Sequence, residues 1–237
     1  FAKYILELSL DGDKRKRFAA ALYEKASALY SLDNMAETQS KIYENIARLE
    51  QSPKRREVLI CGAYGKGNSG DEAILRSIIT SMRSIDPLVP LTVMTRKPQE
   101  TRLMYGVRAI YTFDVPLFLR AAKRTKLFIN GGGSLIQDST SSRSLYYYLF
   151  TIWAARRRGA RVLMYGCGIG PVQRKPLRKL SAKVLNRCVD VITLREPDSL
   201  EELQEMGVTR PKILLTADPA LNLRPAGEDM VDSAMLA

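Results

Sequence analysis

Beyond residue 57 the chain alternates short, β-branched apolar runs with longer stretches in which apolar positions recur every three or four residues. The runs at 58–62, 91–95, 108–111, 126–130, 161–165, 189–194 and 213–216 read as strands. Those at 71–84, 99–105, 115–123, 143–158, 177–187 and 198–206 read as helices. Strand then helix, repeated at this spacing, predicts an α/β fold: a mostly parallel sheet with helices on both faces. Such sheets bind ligands outside the carboxyl ends of their strands, so the loops that directly follow strands are where chemistry is expected.

The first 55 residues keep a different rhythm. From 13 to 49 the apolar positions hold helical spacing, with Phe18, Leu22, Ala26 and Leu29, then Met35, Ile42, Ile46 and Leu49. Ser31-Leu32-Asp33-Asn34 lies between these runs and can cap a second helix. Gln51-Ser52-Pro53-Lys54-Arg55-Arg56 breaks the pattern as a linker would. The expected organisation is a helical segment with linker at 1–55, an α/β domain at 56–225, and at 226–237 the start of a linker to a further domain. A start at Phe1 and an end at Ala237, soon after an ordered-looking segment, predict a piece of a longer polypeptide.

Composition narrows the function classes. At 237 residues, 46% of them apolar, the chain can bury one large core, and none of its apolar windows is long enough for a membrane span. Cys61, Cys167 and Cys188 are too few and too scattered for a disulfide framework or a zinc site, and read as reduced, cytoplasmic packing thiols. The net charge is +12, concentrated at Lys14-Arg15-Lys16-Arg17, Lys54-Arg55-Arg56, Arg156-Arg157-Arg158 and Arg174-Lys175 with Arg178-Lys179. Such clusters suit phosphate or the anionic inner face of a membrane, or are solvated helix ends. Aromatic residues are not interleaved with them, which argues against nucleic acid. Histidine is absent, so any proton transfer falls to carboxylates, lysines or another part of the protein.

The unusual residues gather after strands. Gly65-Lys66-Gly67-Asn68-Ser69-Gly70-Asp71-Glu72 follows the first and opens a helix, a place where free backbone N–H groups attract anions. It is neither a P-loop nor a dinucleotide fingerprint, and its Asp71 and Glu72 sit where an anion would be repelled. Later strands are followed by Asn130-Gly131-Gly132-Gly133-Ser134-Leu135-Ile136-Gln137-Asp138, Gly166-Cys167-Gly168-Ile169-Gly170-Pro171, Arg195-Glu196-Pro197-Asp198-Ser199 and Ala217-Asp218-Pro219-Ala220. The glycine triplet lets backbone approach a ligand closely.

Taken in order, Gly67 to Leu75, Gly131 to Asp138, Gly166 to Val172, Leu194-Arg195-Glu196 with Ser199, and Ala217 to Ala220 resemble the polysaccharide pyruvyltransferase family, in particular the CsaB-type enzymes of cell-wall polymer synthesis. The resemblance implies transfer of an enolpyruvyl group from phosphoenolpyruvate, a co-substrate and not a cofactor, to two hydroxyls of a polymeric or lipid-linked sugar. It implies a Rossmann-like domain that is one half of a GT-B-like two-domain fold, with a catalytic histidine and further basic residues in the second half. The N-terminal helices are similar to the last helices of GT-B glycosyltransferases, which keeps a sugar-nucleotide glycosyltransferase open as an alternative. A non-catalytic binding module is the third reading.

Ketal formation needs a base for the sugar hydroxyl, a proton for the methylene carbon, and cations for phosphate and carboxylate. Asp71 is the catalytic candidate, to orient or deprotonate the hydroxyl, or else a first-turn carboxylate that merely favours the helix dipole. Arg195 suits bidentate anion binding, or a salt bridge to Glu196 or Asp198. Asn68, Gly70, Gly132, Gly133, Ser134, Gln137, Asp138, Arg143 and Gly168 complete the expected substrate-binding set. Tyr146-Tyr147-Tyr148 could stack a sugar ring or pack in a helix core, and Asp218 could cap its own turn. The scattered carboxylates suggest no metal site.

Overall fold

The structure, a computed structural model, describes residues 8–30, 56–139 and 141–223. The chain divides into two compact units, Phe1–Ser52 and Pro53–Ala237. In the first, α1 (Gly12–Tyr30) begins where the helical spacing predicts, and Asp11 accepts a hydrogen bond from the Lys14 N–H at 2.8 Å. Phe18 and Leu22, two of the apolar positions at helical spacing, are 59% and 68% exposed on it. The second predicted helix, the 51–55 part of the linker and the segment 226–237 lie outside the described residues.

The second unit is a parallel α/β sheet. Its elements are β1 (Glu57–Cys61), α2 (Ser69–Ile85), β2 (Leu91–Thr95), α3 (Pro98–Tyr105), β3 (Arg108–Tyr111), α4 (Val115–Arg124), β4 (Thr125–Gly131), β5 (Ser134–Ile136), α5 (Ser142–Arg157), β6 (Arg161–Ile169), α6 (Lys175–Cys188), β7 (Val191–Leu194), α7 (Pro197–Glu205) and β8 (Lys212–Leu215), followed by a short 3₁₀ turn at Pro219–Asn222. The strands run in the order β3-β2-β1-β4-β6-β7-β8, every neighbouring pair parallel, with β5 added beside the end of β6. From β1 the chain winds outward to β3, then crosses back to β4 and winds the other way. The direction reverses between β1 and β4, the place where doubly wound sheets open a ligand crevice.

Alternation along each strand makes two cores. Leu59, Cys61 and Phe128 face one side, where Phe118 of α4, Leu145 and Ile152 of α5, Leu185 of α6 and Leu203 of α7 cover them. Val58, Ile60 and Ile129 face the other, covered by Ile74, Leu75, Ile78 and Ile79 of α2. All five residues of β1 and of β2 are buried, as central parallel strands require. At the amino edge of the sheet the one buried carboxylate of β1, Glu57, is matched by Arg108 and Arg124 at 3.2 Å each and by the Thr92 hydroxyl. Asp190 similarly joins the start of β6 to the start of β7, accepting from the Val162 N–H and from Arg156 and Arg161. Those bonds outweigh the effect of burial and hold its carboxyl below the usual range.

Two of the predicted loops are partly sheet. β6 runs on to Ile169, through Gly166-Cys167-Gly168, and Ser134–Ile136 forms β5 against it. Gly132 donates to the Tyr165 carbonyl at 2.9 Å and Gly168 to that of Gly133 at 3.1 Å. The pairing therefore continues across a bend, where the glycines in the sequence predict a loop. No helix among the described residues is long and apolar enough to cross a membrane.

Candidate active site

The segments that follow β1, β4, β7 and β8, together with β5, surround a cavity of about 460 Å³. Its first wall is the N-terminus of α2. Asn68 is the N-cap, in extended conformation, and its Oδ1 accepts the Gly70 N–H at 3.0 Å. The two adjacent carboxylates that follow have separate fates. Glu72 turns back over the glycine turn, accepting the Gly65 N–H at 2.7 Å and the Tyr105 hydroxyl at 3.4 Å. Asp71 lines the cavity and makes no hydrogen bond within the described structure. Burial raises its pKa above the ordinary carboxylate value, Lys66 and Arg195 pull it back, and Glu72 adds to the rise. With the Gly65 N–H already occupied by Glu72, the turn is a rigid support for Asp71 more than an anion cradle.

The bend in β4–β5 brings the second wall close. A side chain on Gly132 (φ 72°) would meet Ile74 Cγ2 of α2 at 2.4 Å, and one on Gly131 would meet Ile78 Cδ1 at 2.5 Å. The glycines let α2 settle onto the sheet. One residue further, a Cβ on Gly133 would lie 3.1 Å from Asp71 Oδ1, so the carboxylate rests against the bend. Tyr64, whose hydroxyl donates to the Gly131 carbonyl at 2.7 Å, closes the floor behind them.

The third wall carries Arg195 and Asp218. Arg195 Nη1 donates to Asp218 Oδ2 at 3.0 Å, while Glu196 is 4.0 Å from Arg195 Nε. The other Asp218 oxygen caps the 3₁₀ turn through the Ala220 N–H at 2.9 Å. A clamp of this kind holds a guanidinium at one angle toward a ligand. Beside the main cavity a second one, about 400 Å³, shares Ala63, Lys66, Ser144 and Tyr148 with it and extends over the ends of β2 and β3. Lys66, Arg96 and Arg143 line it, and none of them is ion-paired to a carboxylate among the described residues. The Arg96 guanidinium stacks 4.2 Å from the centre of the Phe113 ring. Among the described residues, these three cations without an ion-pair partner and Arg195 line the joined cleft, and of the four Lys66 and Arg195 act on Asp71.

Of the predicted site residues, Asn68, Gly70, Asp71, Gly133, Ser134, Gln137 and Arg195 line the main cavity and Arg143 its extension. Three lie elsewhere. Gly132 is beneath Ile74, and Gly168 lies inside β6 between Ser134 and Glu196. Asp138 accepts the Gln173 and Arg174 N–H groups at 2.8 and 3.1 Å and so anchors the approach to α6. The tyrosine run divides: Tyr146 is 52% exposed on the outer flank of α5, Tyr147 donates to the Thr112 carbonyl at 2.9 Å, and buried Tyr148 forms a wall of both cavities. The cysteines are buried free thiols, and burial pushes Cys61 and Cys167 up to about 12, which leaves them no role as nucleophiles. Lys66, Arg96, Phe113 and Ser144 were not among the candidates. Arg96 and Phe113 directly follow β2 and β3, so the strand-end rule applied to those two loops as well would have found them.

The chain is 25% identical over 209 residues to the amylovoran biosynthesis protein AmsJ of Erwinia amylovora, a match that covers 71% of this chain and 49% of that protein. The chain thus spans about half the length of the curated relative it matches. A crystal structure of Anabaena Alr3699/HepE in complex with UDP and glucose aligns with a TM-score of 0.46 at 10% identity, covering 69% of this chain and 44% of that one. The family model for polysaccharide pyruvyl transferase matches residues 68–233, from the N-cap of α2 past the Arg195–Asp218 clamp, and the chain belongs to that family.

Proposed function

We propose that this domain forms the acceptor side of a transferase that moves an enolpyruvyl group from phosphoenolpyruvate to a glycan or its lipid-linked precursor and closes it into a pyruvate ketal. The observation that carries the reading is Asp71, a half-buried carboxylate without a hydrogen bond among the described residues, near Lys66 and Arg195 at the switch point of the sheet. A carboxylate with a raised pKa is a stronger base, and it sits where a sugar hydroxyl can reach it from the cleft.

In the proposed reaction the methylene carbon of phosphoenolpyruvate gains a proton and becomes a methyl group. One sugar hydroxyl adds to the neighbouring carbon, phosphate leaves with its bridging oxygen, and a second hydroxyl of the same sugar takes its place. Of the two hydroxyl protons released, one balances the new methyl C–H bond and the other leaves with phosphate. Asp71 takes a hydroxyl proton, and Arg195, held at a fixed angle by Asp218, holds an anionic group of phosphoenolpyruvate together with Lys66. Asn68, Ser134 and Gln137 supply the hydrogen-bonding edge for the sugar. With no histidine in the chain, this reading assigns the acid that protonates the methylene carbon to a second, GT-B-like half of the protein, and the reaction to the cytoplasmic side of the membrane.

The test is phosphate release from phosphoenolpyruvate by the full-length polypeptide with a lipid-linked, N-acetylmannosamine-containing acceptor. Release that requires the acceptor, and that falls by about 10²–10⁴-fold in Asp71→Asn, supports the reading. Release unchanged by Asp71→Asn assigns the base elsewhere. Consumption of a UDP-sugar with no phosphate release replaces the reading by a glycosyltransferase.

A further inference from the structure

We propose that the outer face of α5 and α6 is a docking surface for the anionic headgroups of a phospholipid bilayer. It concerns a part of the molecule separate from the cleft and does not depend on the transfer reaction. Tyr146, Phe150 and Trp153 stand at i, i+4 and i+7 along α5, and are 52%, 37% and 46% exposed. They border a groove of about 440 Å³ whose floor is Leu180 and Val184 and whose rim is Lys183 and Arg187 of α6. Three large aromatics on one exposed stripe are uncommon on a surface that meets only water.

Charge selects the occupant. Neither α5 nor α6 contains an Asp or Glu. Lys175, Lys179, Lys183 and Arg187 follow one another at four-residue intervals on α6, all exposed. Like charges at that spacing repel, a cost that a negatively charged partner reverses. Arg157 adds a guanidinium 6.0 Å from the Trp153 ring. Other members of the same basic clusters are engaged internally: Arg156 with Asp190 at 2.9 Å, Arg178 with Glu202 at 2.7 Å, and Arg158 with the Leu119 carbonyl at 3.1 Å. The charge left outside is therefore concentrated beside the aromatic stripe. Trp and Tyr rings at headgroup depth with flanking Lys and Arg are the chemistry of an anionic bilayer interface. The inner flank of α5 supplies Ser144 and Tyr148 to the cleft, so a bilayer on the outer flank lies one helix away from the site.

Trp153 is the single tryptophan of the chain and reports directly on this face. The full chain is mixed at low salt with phosphatidylcholine vesicles with or without phosphatidylglycerol, and its emission is followed with brominated acyl chains as quencher. The expected result is a blue shift and quenching only with phosphatidylglycerol, both lost as salt rises. The exposed double variant Lys183→Gln/Arg187→Gln, checked for fold by circular dichroism, is expected to partition about 25-fold more weakly. Vesicle binding that leaves Trp153 emission unchanged assigns attachment to another surface and overturns the proposal. So does the absence of binding at low salt. A blue shift that grows with protein concentration in the absence of vesicles shows a second copy on the groove, and overturns it too.

Discussion

The proposed chemistry turns on Asp71 and on Lys66 and Arg195, the cations that act on it. Asp71 has its pKa raised by burial, so between the unfolded carboxylate value and the raised one the folded chain holds more protons than the unfolded chain. Stability therefore falls as pH rises through that window and stays lower at neutral pH. Asp71→Asn, isosteric and uncharged, is expected to unfold at an equal or higher temperature than the parent at pH 7 while losing activity, a separation that thermal melts and rate assays read independently. If Asp71 is the base, the acid limb of kcat/KM in the active protein is expected to lie above the ordinary carboxylate range, because burial raises its pKa. Lys66→Gln removes a charge that pulls Asp71 down, so that limb moves to higher pH and KM for phosphoenolpyruvate rises; a limb that stays in place separates Lys66 from Asp71. Asp71 was legible in the sequence because a glycine turn after a strand and before a helix has few geometries. The division of labour between Asp71 and Glu72 was not. It depends on the loop backbone reaching back to Glu72, a tertiary contact with no spacing rule. Asp138 looked like Asp71 in sequence, and only the approach of the 173–174 turn gives its two oxygens another use.

At the scale of elements, periodicity located the strands and helices of the second unit to within a few residues, because parallel central strands are continuous apolar runs and the helices are amphipathic. It missed β5 and the end of β6, where glycines usually mark turns. Here Gly132 and Gly133 bend a strand without ending its pairing, and they exist for α2 as much as for a ligand. Gly132→Ala combines a positive φ with a Cβ 2.4 Å from Ile74, and is expected to destabilise the domain by about 3 kcal/mol in urea unfolding. Gly67→Ala also has a positive φ but has no atom within 4 Å of the added carbon, and is expected to cost about 1 kcal/mol. Equal costs would mean that close approach of α2 does not set the requirement. Across the amino edge, Asp190→Ala removes the acceptor of the Val162 N–H and of two arginines, and is expected to cost about 2 kcal/mol at neutral pH. Because the folded pKa of Asp190 is depressed, its contribution is present above the usual carboxylate value and is lost as pH falls through the lower, folded one.

At the scale of the molecule, the carboxylate, the cations and the hydrogen-bonding groups of the cleft gather at the carboxyl edge of the sheet, where the strand order reverses between β1 and β4, and stabilising ion pairs such as those of Glu57 and Asp190 lie at its amino edge. The proposed chemistry makes a specific claim about carbon: the methylene group of phosphoenolpyruvate ends as a methyl group on a ketal carbon bonded to two oxygens of one sugar. The direct test incubates the full-length polypeptide with phosphoenolpyruvate labelled with carbon-13 at the methylene position and a lipid-linked glycan acceptor, then takes the mass and the carbon spectrum of the product. The expected product has gained one pyruvate less one water, carries its label in a methyl group, and is lost in Asp71→Asn. An acceptor that stays unlabelled while phosphoenolpyruvate is intact, or that gains a hexose from a nucleotide sugar, contradicts the proposed transfer.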